Sequence, residues 1–384
     1  MMYPPCVDCL TRRSIEFLAL AVAAILWHPP TTRGASDLNQ EMAKVAAQIK
    51  LLLDEKGQNA IAVGDFRGPA KLVSSAGPGI TKALGDALTK CAVTVNRRAE
   101  LEVNGDYRDV EDQKTRQMAV QIKAHVVDRS GNEVAAFEPR GILNEATIAA
   151  LIGVTVTMPA AATDQERDNK LSDAIDKPKV HLATTRISAD AASPYAIEIL
   201  VQAGTDFRPR AASRDSDGFA FMKIRHDEIY SVRLINDALY DAAVTLTIDG
   251  LGVFAFSETS SYTHWVVPSK KALTVRGWHR TNKLSDSFQI TDYAKSAVAA
   301  KLPSSASVGT ITAAFFAAWP KGSTPPEDEA SGRKGAPAGD ATGRGPAVAT
   351  NFTEVVRDVG RLRAAISVRY TKDDDPKNLP DSRP

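Results

Sequence analysis

The feature that most constrains this chain is a train of short apolar runs from Val180 onward, separated by turn residues. They fall at 181–187, 195–201, 219–224, 230–235, 243–248, 253–256, 264–267, 273–278, 287–291 and 309–316. Runs this short at this spacing predict strands, and so an all-β sandwich or jelly roll over 180–320. The next stretch carries Pro325-Pro326, Gly332, Gly335, Pro337, Gly339, Gly343, Gly345 and Pro346 with almost no large apolar residue. It buries too little surface to offset its ordering entropy, which predicts a disordered Gly/Pro-rich loop over 321–350. Phe352, Val355, Val356, Val359 and Leu362 then recur at helical spacing, and 365–370 alternates. The expectation for 351–371 is therefore a helix and a strand returning to the sandwich, with a disordered tail over 372–384.

The first half of the chain is patterned differently. Leu38, Met42, Val45, Ile49, Leu52 and Leu53 share one helix face, 61–66 reads as a buried strand, and Gly77-Pro78-Gly79 leads into a helix over 80–91 started by Ser74 or Ser75. Strands are expected at 93–95 and 101–107. Met118, Val120, Ile122, Ala124 and Val126 alternate as a half-buried strand, which turns at 128–132 and returns over 133–137. A short helix over 144–152 closes the unit. This order predicts an α+β N-terminal domain over 37–157, a small mostly antiparallel sheet covered by helices. The Ala, Asp and Lys of 158–179 lack apolar periodicity and read as a linker or a weak solvent-facing helix.

Ile61-Ala62-Val63-Gly64-Asp65-Phe66, the 79–88 helix, Val103-Asn104-Gly105-Asp106-Tyr107, and Val127-Asp128 before Gly131-Asn132 occur in that order. Over 38–157 the chain resembles the envelope-protein family that includes the curli secretion channel, a flagellar outer-membrane lipoprotein and the lipoprotein activators of penicillin-binding proteins. The resemblance implies binding or assembly in the envelope and brings no catalytic residue. Leu234-Ile235-Asn236, the 245–251 run, Val275-Arg276-Gly277-Trp278 and Val308-Gly309-Thr310-Ile311 resemble secreted bacterial β-sandwich modules of unknown function, which implies a fold only.

Residues 1–36 read as a signal peptide: Arg12 and Arg13 precede an apolar run from Phe17 to Trp27, which His28, Pro29 and Pro30 break. That run falls short of the ~20 residues a membrane span needs, and cleavage is expected after Ser36. The basic pair also resembles a twin-arginine signal, with Glu16 where an apolar residue is usual. Cys6 and Cys9 would leave with the signal, and neither follows the run to carry a lipid at a new N-terminus. The expectation is an exported chain, periplasmic or extracellular, with no integral membrane span after processing. Forty-seven basic and 46 acidic residues leave +1, which gives no electrostatic footprint for nucleic acid. With 43% hydrophobic and 24% charged residues the composition is that of a globular protein.

The sequence holds no H-E-x-x-H, G-x-S-x-G or Walker lysine pattern. Gly77-Pro78-Gly79 could hold an anion, with helix capping the favoured use. Cys91 continues the stripe of Ile80, Leu84, Ala87 and Leu88 and is read as a small buried hydrophobe. His125, His181, His226, His264 and His279 remain after the signal. Of these, His264-Trp265 and Trp278-His279 most resemble a site. A hairpin turning at 268–271 would face His264 with Val275 and leave His279 roughly 13 Å away at strand rise, too far for imidazoles that must each lie about 2 Å from a shared zinc. Trp265, Trp278 and Trp319 are read as core aromatics over stacking platforms, and Asp215, Asp217, Asp227, Glu228, Asp237, Asp241 and Asp249 as solvated charges over a calcium loop or carboxylate pair.

No catalytic, cofactor-binding or metal residue is therefore assigned, and no cofactor. The expected function is non-enzymatic binding or assembly with an envelope protein or cell-wall component as partner. The alternatives are a polysaccharide- or peptide-acting hydrolase with a site between domains, and a carbohydrate-binding sandwich. N-terminal sequencing of the natural protein should read Asp37 first; a cytosolic protein still starting at Met1 or Met2 would remove the export expectation.

Overall fold

A computed structural model describes residues 37–68, 76–111, 117–139, 141–259, 261–290, 308–329 and 346–371. The signal expected at 1–36, the tail at 372–384 and the 330–345 part of the expected loop lie outside the described residues.

The chain opens with α1 (Leu38–Glu55), β1 (Ala60–Arg67), α2 (Gly77–Lys90), β2 (Thr94–Val95), β3 (Leu101–Glu111), β4 (Met118–Asp128), β5 (Glu133–Phe137) and α3 (Glu145–Ile152). The Asp37 carboxylate accepts the Gln40 N–H at 2.9 Å and starts α1, whose stripe of Met42, Val45, Ala46, Ile49 and Leu53 is fully buried. Asn144 caps α3 in the same way, and Gly153 ends it at φ 73°. The strands form a five-stranded sheet in the order β2-β1-β3-β4-β5. Its pairing corrects the expectation of a mostly antiparallel sheet, because β1 runs parallel to both β2 and β3. Only β3-β4 and β4-β5 are antiparallel pairs. The expected N-cap of α2 is also corrected. Ser74 and Ser75 lie outside the described residues, the cap is Ala76 with no side-chain bond, and the Ala76 N–H donates to the Tyr107 hydroxyl at 3.2 Å.

Next come β6 (Val156–Thr157) and α4 (Asp164–Asp176), then β7 (His181–Ala183), β8 (Arg186–Ser188), β9 (Tyr195–Ala203), β10 (Asp206–Pro209), β11 (Ser213–Arg214), β12 (Ala220–Met222), β13 (Ile229–Asn236), β14 (Asp241–Ile248) and β15 (Leu251–Gly252). The series ends with β16 (Trp265–Val267), β17 (Lys271–Val275), β18 (Gly277–Thr281), β19 (Leu284–Gln289), β20 (Val308–Pro320), β21 (Ala347–Ala349) and β22 (Arg357–Thr371). A nine-stranded sheet follows the path β18-β19-β13-β9-β8-β7, with β10, β17 and β21 alongside. An eight-stranded sheet follows β11-β12-β22-β20-β14-β15, with β16 and β6 alongside. The two sheets share one core, in which Tyr195 of β9 lies 5.1 Å from Phe315 of β20 between ring centroids.

The eight-stranded sheet is covered on its other face as well. Ala243, Ala314, Phe316, Ala318, Leu362 and Ala365 belong to a single core with α1, α2, α3 and the five-stranded sheet. The layer order is thus sheet, helices, sheet, sheet. Alanines at 314, 318 and 365 present little side-chain bulk to the helices, and burial on both faces explains why β20 reads as a continuous apolar run, the pattern of a doubly covered strand.

Several expectations are corrected in this half. The helix expected within 351–371 is absent: residues 350–356 form no helix and β22 begins at Arg357. The run 253–256 is a turn rather than a strand, and the 273–278 run divides between β17 and β18. The 268–271 turn makes no hairpin; β16 pairs with β14 in one sheet, whereas β17 pairs with β13 in the other. The 158–179 segment holds α4 with a capping box between Thr163 and Glu166, and its Arg167, Asp168, Leu171 and Ile175 are buried. Of the 321–350 segment, expected as a disordered loop, the described residues include β21 and residues 321–329, which contact β22 through Asp328 and Glu329.

The N-terminus of α2 meets the Asp249-Gly250 turn, where φ is positive at both residues, as a two-residue hairpin requires. A Cβ on Gly79 would lie 2.6 Å from the Gly250 carbonyl oxygen. Gly79→Leu should therefore cost ~1–3 kcal/mol by forcing the two layers apart, whereas Gly85→Ala, on the same helix with nothing near its Cβ position, should gain up to ~1 kcal/mol. Urea unfolding of both variants checks the pair.

Candidate functional site

The histidine and tryptophan pair singled out in the sequence does come together, but as packing. The His279 ring lies 5.9 Å from Trp265, 5.3 Å from Phe254, 5.4 Å from Tyr262 and 6.1 Å from Phe352 between centroids. Its Nδ1 and Nε2 pair with the Ser257 hydroxyl at 3.1 Å and the Asn282 side-chain oxygen at 3.2 Å, and burial depresses its pKa. His264 instead meets Phe316 edge-on at 5.5 Å, with its pKa pushed down to about 4 by burial. The hairpin register expected to hold the two imidazoles apart is not formed, and no group of three metal-ligating residues occurs among the described residues. Trp265 and Trp278 are 6% and 2% exposed beneath neighbouring rings, so neither offers a flat face to a sugar, while Trp319 is half-buried.

The other sequence candidates are engaged too. Cys91 is the C-cap of α2 and only half-buried against the core, less enclosed than expected. The Gly77-Pro78-Gly79 segment is buried against the Gly250 turn. His125 sits 2.5 Å from Glu133 and 3.7 Å from Asp106 on the polar face of the first sheet. Most of the acidic residues expected as solvated charges are ion-pair partners: Asp215 and Asp217 of Arg369, Glu228 of Arg210, Asp237 of Arg186 and Asp241 of Arg357. Asp249 is buried beneath the Tyr370 hydroxyl, which donates to it at 3.0 Å.

The distinctive chemistry lies on β22, where sequence reasoning assigned nothing. The β20-β22 ladder pairs Phe315 with Ala364, Phe316 with Leu362 and Ala318 with Val359. Two register shifts follow, so β22 carries Arg363 as an extra residue and then sets Gly360-Arg361 against the single Ala317. Bulges free backbone groups from the ladder, and three segments take them up. Arg167 Nη2 donates to the Leu362 carbonyl at 2.8 Å, the Met158 N–H donates to the Arg363 carbonyl at 2.7 Å, and the Arg361 N–H donates to Glu329 Oε1 at 2.7 Å.

Arg363, 4% exposed, forks onto the Asp328 carboxylate and also donates to Glu329 Oε2 at 2.7 Å. The Tyr240 ring lies 5.3 Å from its guanidinium carbon, and the Tyr195 hydroxyl donates to that of Tyr240 at 3.3 Å. Arg363 holds the Asp328 carboxyl below its ordinary pKa, while burial followed by the Tyr240 hydrogen bond raises that of Tyr195. Arg361 reaches Asp164 at 2.6 Å and the Ala162 carbonyl at 3.2 Å. Arg167, fully buried, donates to Glu145 at 2.7 Å and 2.5 Å. Nearby Asp168 is 9% exposed with Oδ2 lacking a hydrogen-bond partner, and burial, then Glu145, raises its pKa to about 6.

Guanidinium groups and an amide left out of the ladder at one bulged stretch make a carboxylate receptor. Its sequence signals were Gly360-Arg361-Leu362-Arg363 and the acidic triplet Glu327-Asp328-Glu329 in a Gly/Pro-rich stretch. Compared with protein-family models, with curated proteins and with solved structures, the chain shows no match.

Asp168 sets a pH dependence. Its folded-state pKa of about 6 lies above the ordinary 3.8, so the folded chain binds the proton more tightly than the unfolded one. Its contribution to stability is greatest below pH 3.8 and falls away as pH rises to about 6. Asp168→Asn should flatten that slope and stabilise the protein at pH 7, as urea unfolding of both proteins from pH 4 to pH 7 would show.

Proposed function

We propose that this chain is an exported envelope protein that acts by protein binding or assembly, with an α+β domain at the N-terminus and a β-sandwich behind it. The observation that carries this reading is the use of two arginines of β22: the partly buried Arg361 and the buried Arg363 are set by bulges to hold carboxylates of protein side chains, the chemistry of peptide recognition. The resemblance of 38–157 to envelope assembly factors supports the same class, and the signal-like 1–36 supports export. The partner is an envelope protein or a cell-wall component.

One observation favours the hydrolase alternative. Asp168, raised to about 6 with a free buried oxygen, lies within the field of Glu145 and Asp164, and unequal carboxylates of this kind serve as acid and base in glycoside hydrolysis. Against it, both carboxylate oxygens of Glu145 are taken up by the Arg167 guanidinium.

The test is affinity capture with the mature protein on envelope extract, followed by quantification of what is retained. The expected result is one partner in near-stoichiometric amount, reproduced with both purified proteins. Turnover of cell-wall glycan or peptide by the purified protein, lost in Asp168→Asn, would replace binding with hydrolysis.

A further inference from the structure

We propose that the bulged stretch 360–363 of β22 is a docking slot for an acidic peptide segment of a partner protein, and that Asp328 and Glu329 are its resident, exchangeable occupant. The proposal deepens the binding reading above and rests on it.

Three features of four consecutive residues fit a pair of neighbouring carboxylates. The bulge leaves the Arg361 N–H outside the ladder, and Glu329 Oε1 accepts it at 2.7 Å. Arg363 offers both Nη atoms, one shared between Asp328 and Glu329 at 3.0 and 2.7 Å. Gly360 supplies the space, since a Cβ there would lie 2.5 Å from the Glu329 carboxyl carbon and Oε1. Tyr240 forms a wall beside Arg363. The slot selects flat carboxylates in sequence, the first gripped by a planar fork and the second buried with both oxygens bonded.

The occupant is held in a way that permits exchange. Residues 322–329 belong to no strand and turn on their own bond from the Glu329 N–H to the Pro326 carbonyl. The Glu329 side chain is 4% exposed but that of Asp328 is 50% exposed, so an incoming carboxylate can reach Arg363 as Asp328 leaves. Arg363 without a carboxylate would be a buried unpaired charge, which makes exchange, not vacancy, the favourable route. A tethered occupant competes at an effective concentration in the ~mM range. The wild-type slot therefore admits an outside peptide only weakly, and neutralising the resident side chains should open it.

The experiment uses the full chain and a fluorescent peptide copying residues 324–329, read by polarisation. Asp328→Asn with Glu329→Gln should bind it saturably, at least about tenfold tighter than wild type. Binding should be lost when Arg363→Met is added or when the peptide carries Asn and Gln in place of its acids. If the double variant does not unfold cooperatively, trypsin cleavage after Lys321 of the wild type decides: excess acidic peptide should accelerate it, and neutral peptide should not. A folded double variant that fails to bind, equal binding of acidic and neutral peptides, or, in that case, cleavage indifferent to the peptide overturns the slot. Each of those results leaves a partner captured through another surface standing, whereas a failed capture with a working slot removes the envelope partner and not the slot.

Discussion

The pairing of β20 with β22 is the constraint on which the other layers depend. These two long strands are buried on both faces, with Ala313, Phe315, Ala364 and Ile366 turned to the nine-stranded sheet and Ala314, Phe316, Leu362 and Ala365 turned to the helices. Where a strand has no solvent face it cannot place its polar residues outward, so a polar side chain left without a partner inside, as the Thr310 hydroxyl is, costs stability. The Ser367 hydroxyl donates to the Val154 carbonyl, and Thr155 accepts the Ser367 N–H, which fastens the chain after α3 to the strand. Arg369, 3% exposed, pairs with Asp215 and stacks its guanidinium 3.7 Å above the Phe219 ring. Partner requirements of this kind draw segments from distant parts of the sequence onto one strand.

The bulges extend the same logic to the backbone. An extra residue in a solvent-exposed edge strand would have its free groups met by water. In a central strand they need protein partners, and here those partners come from α4, from the segment after β6, and from 329. The polar joint between the layers and the carboxylate receptor are therefore one feature. Arg167 illustrates it: one guanidinium serves Glu145 of α3, the Pro159 carbonyl and the Leu362 carbonyl of the bulge.

The bulges also explain where the sequence misled. Val359, Leu362 and Ala365 all face the helical layer, although an unbroken strand would put every second residue there. Each inserted residue converts a spacing of two into three, and a repeat of three beside Val355 and Val356 imitates a helix. Elements with intact periodicity were legible: β4 by alternation, α1 by its stripe, α3 by Asn144 before it and Gly153 after it. The parallel placement of β1 was not, because alternation and burial say nothing about strand direction. The turn at 268–271 failed for a similar reason. Its residues favour a reversal of the chain, and the chain does reverse, but into the opposite sheet.

The candidate site was illegible because it is made of residues that are ordinary when read singly. Arginines and acids separated by 34 or 35 positions carry no local pattern, and Glu329 belongs to a Gly/Pro-rich stretch whose composition argues against order. Order there comes from charge, not apolar burial. A carboxylate held by a buried guanidinium and an amide outside the ladder fixes one point of the chain, and the residues around it need no core of their own. Composition predicts whether a segment can fold alone, and this stretch has outside help: Glu329 lies against a strand whose bulge offers it an N–H and a guanidinium. The acidic triplet and the bulged arginines thus satisfy each other, and neither could be understood from its own neighbourhood.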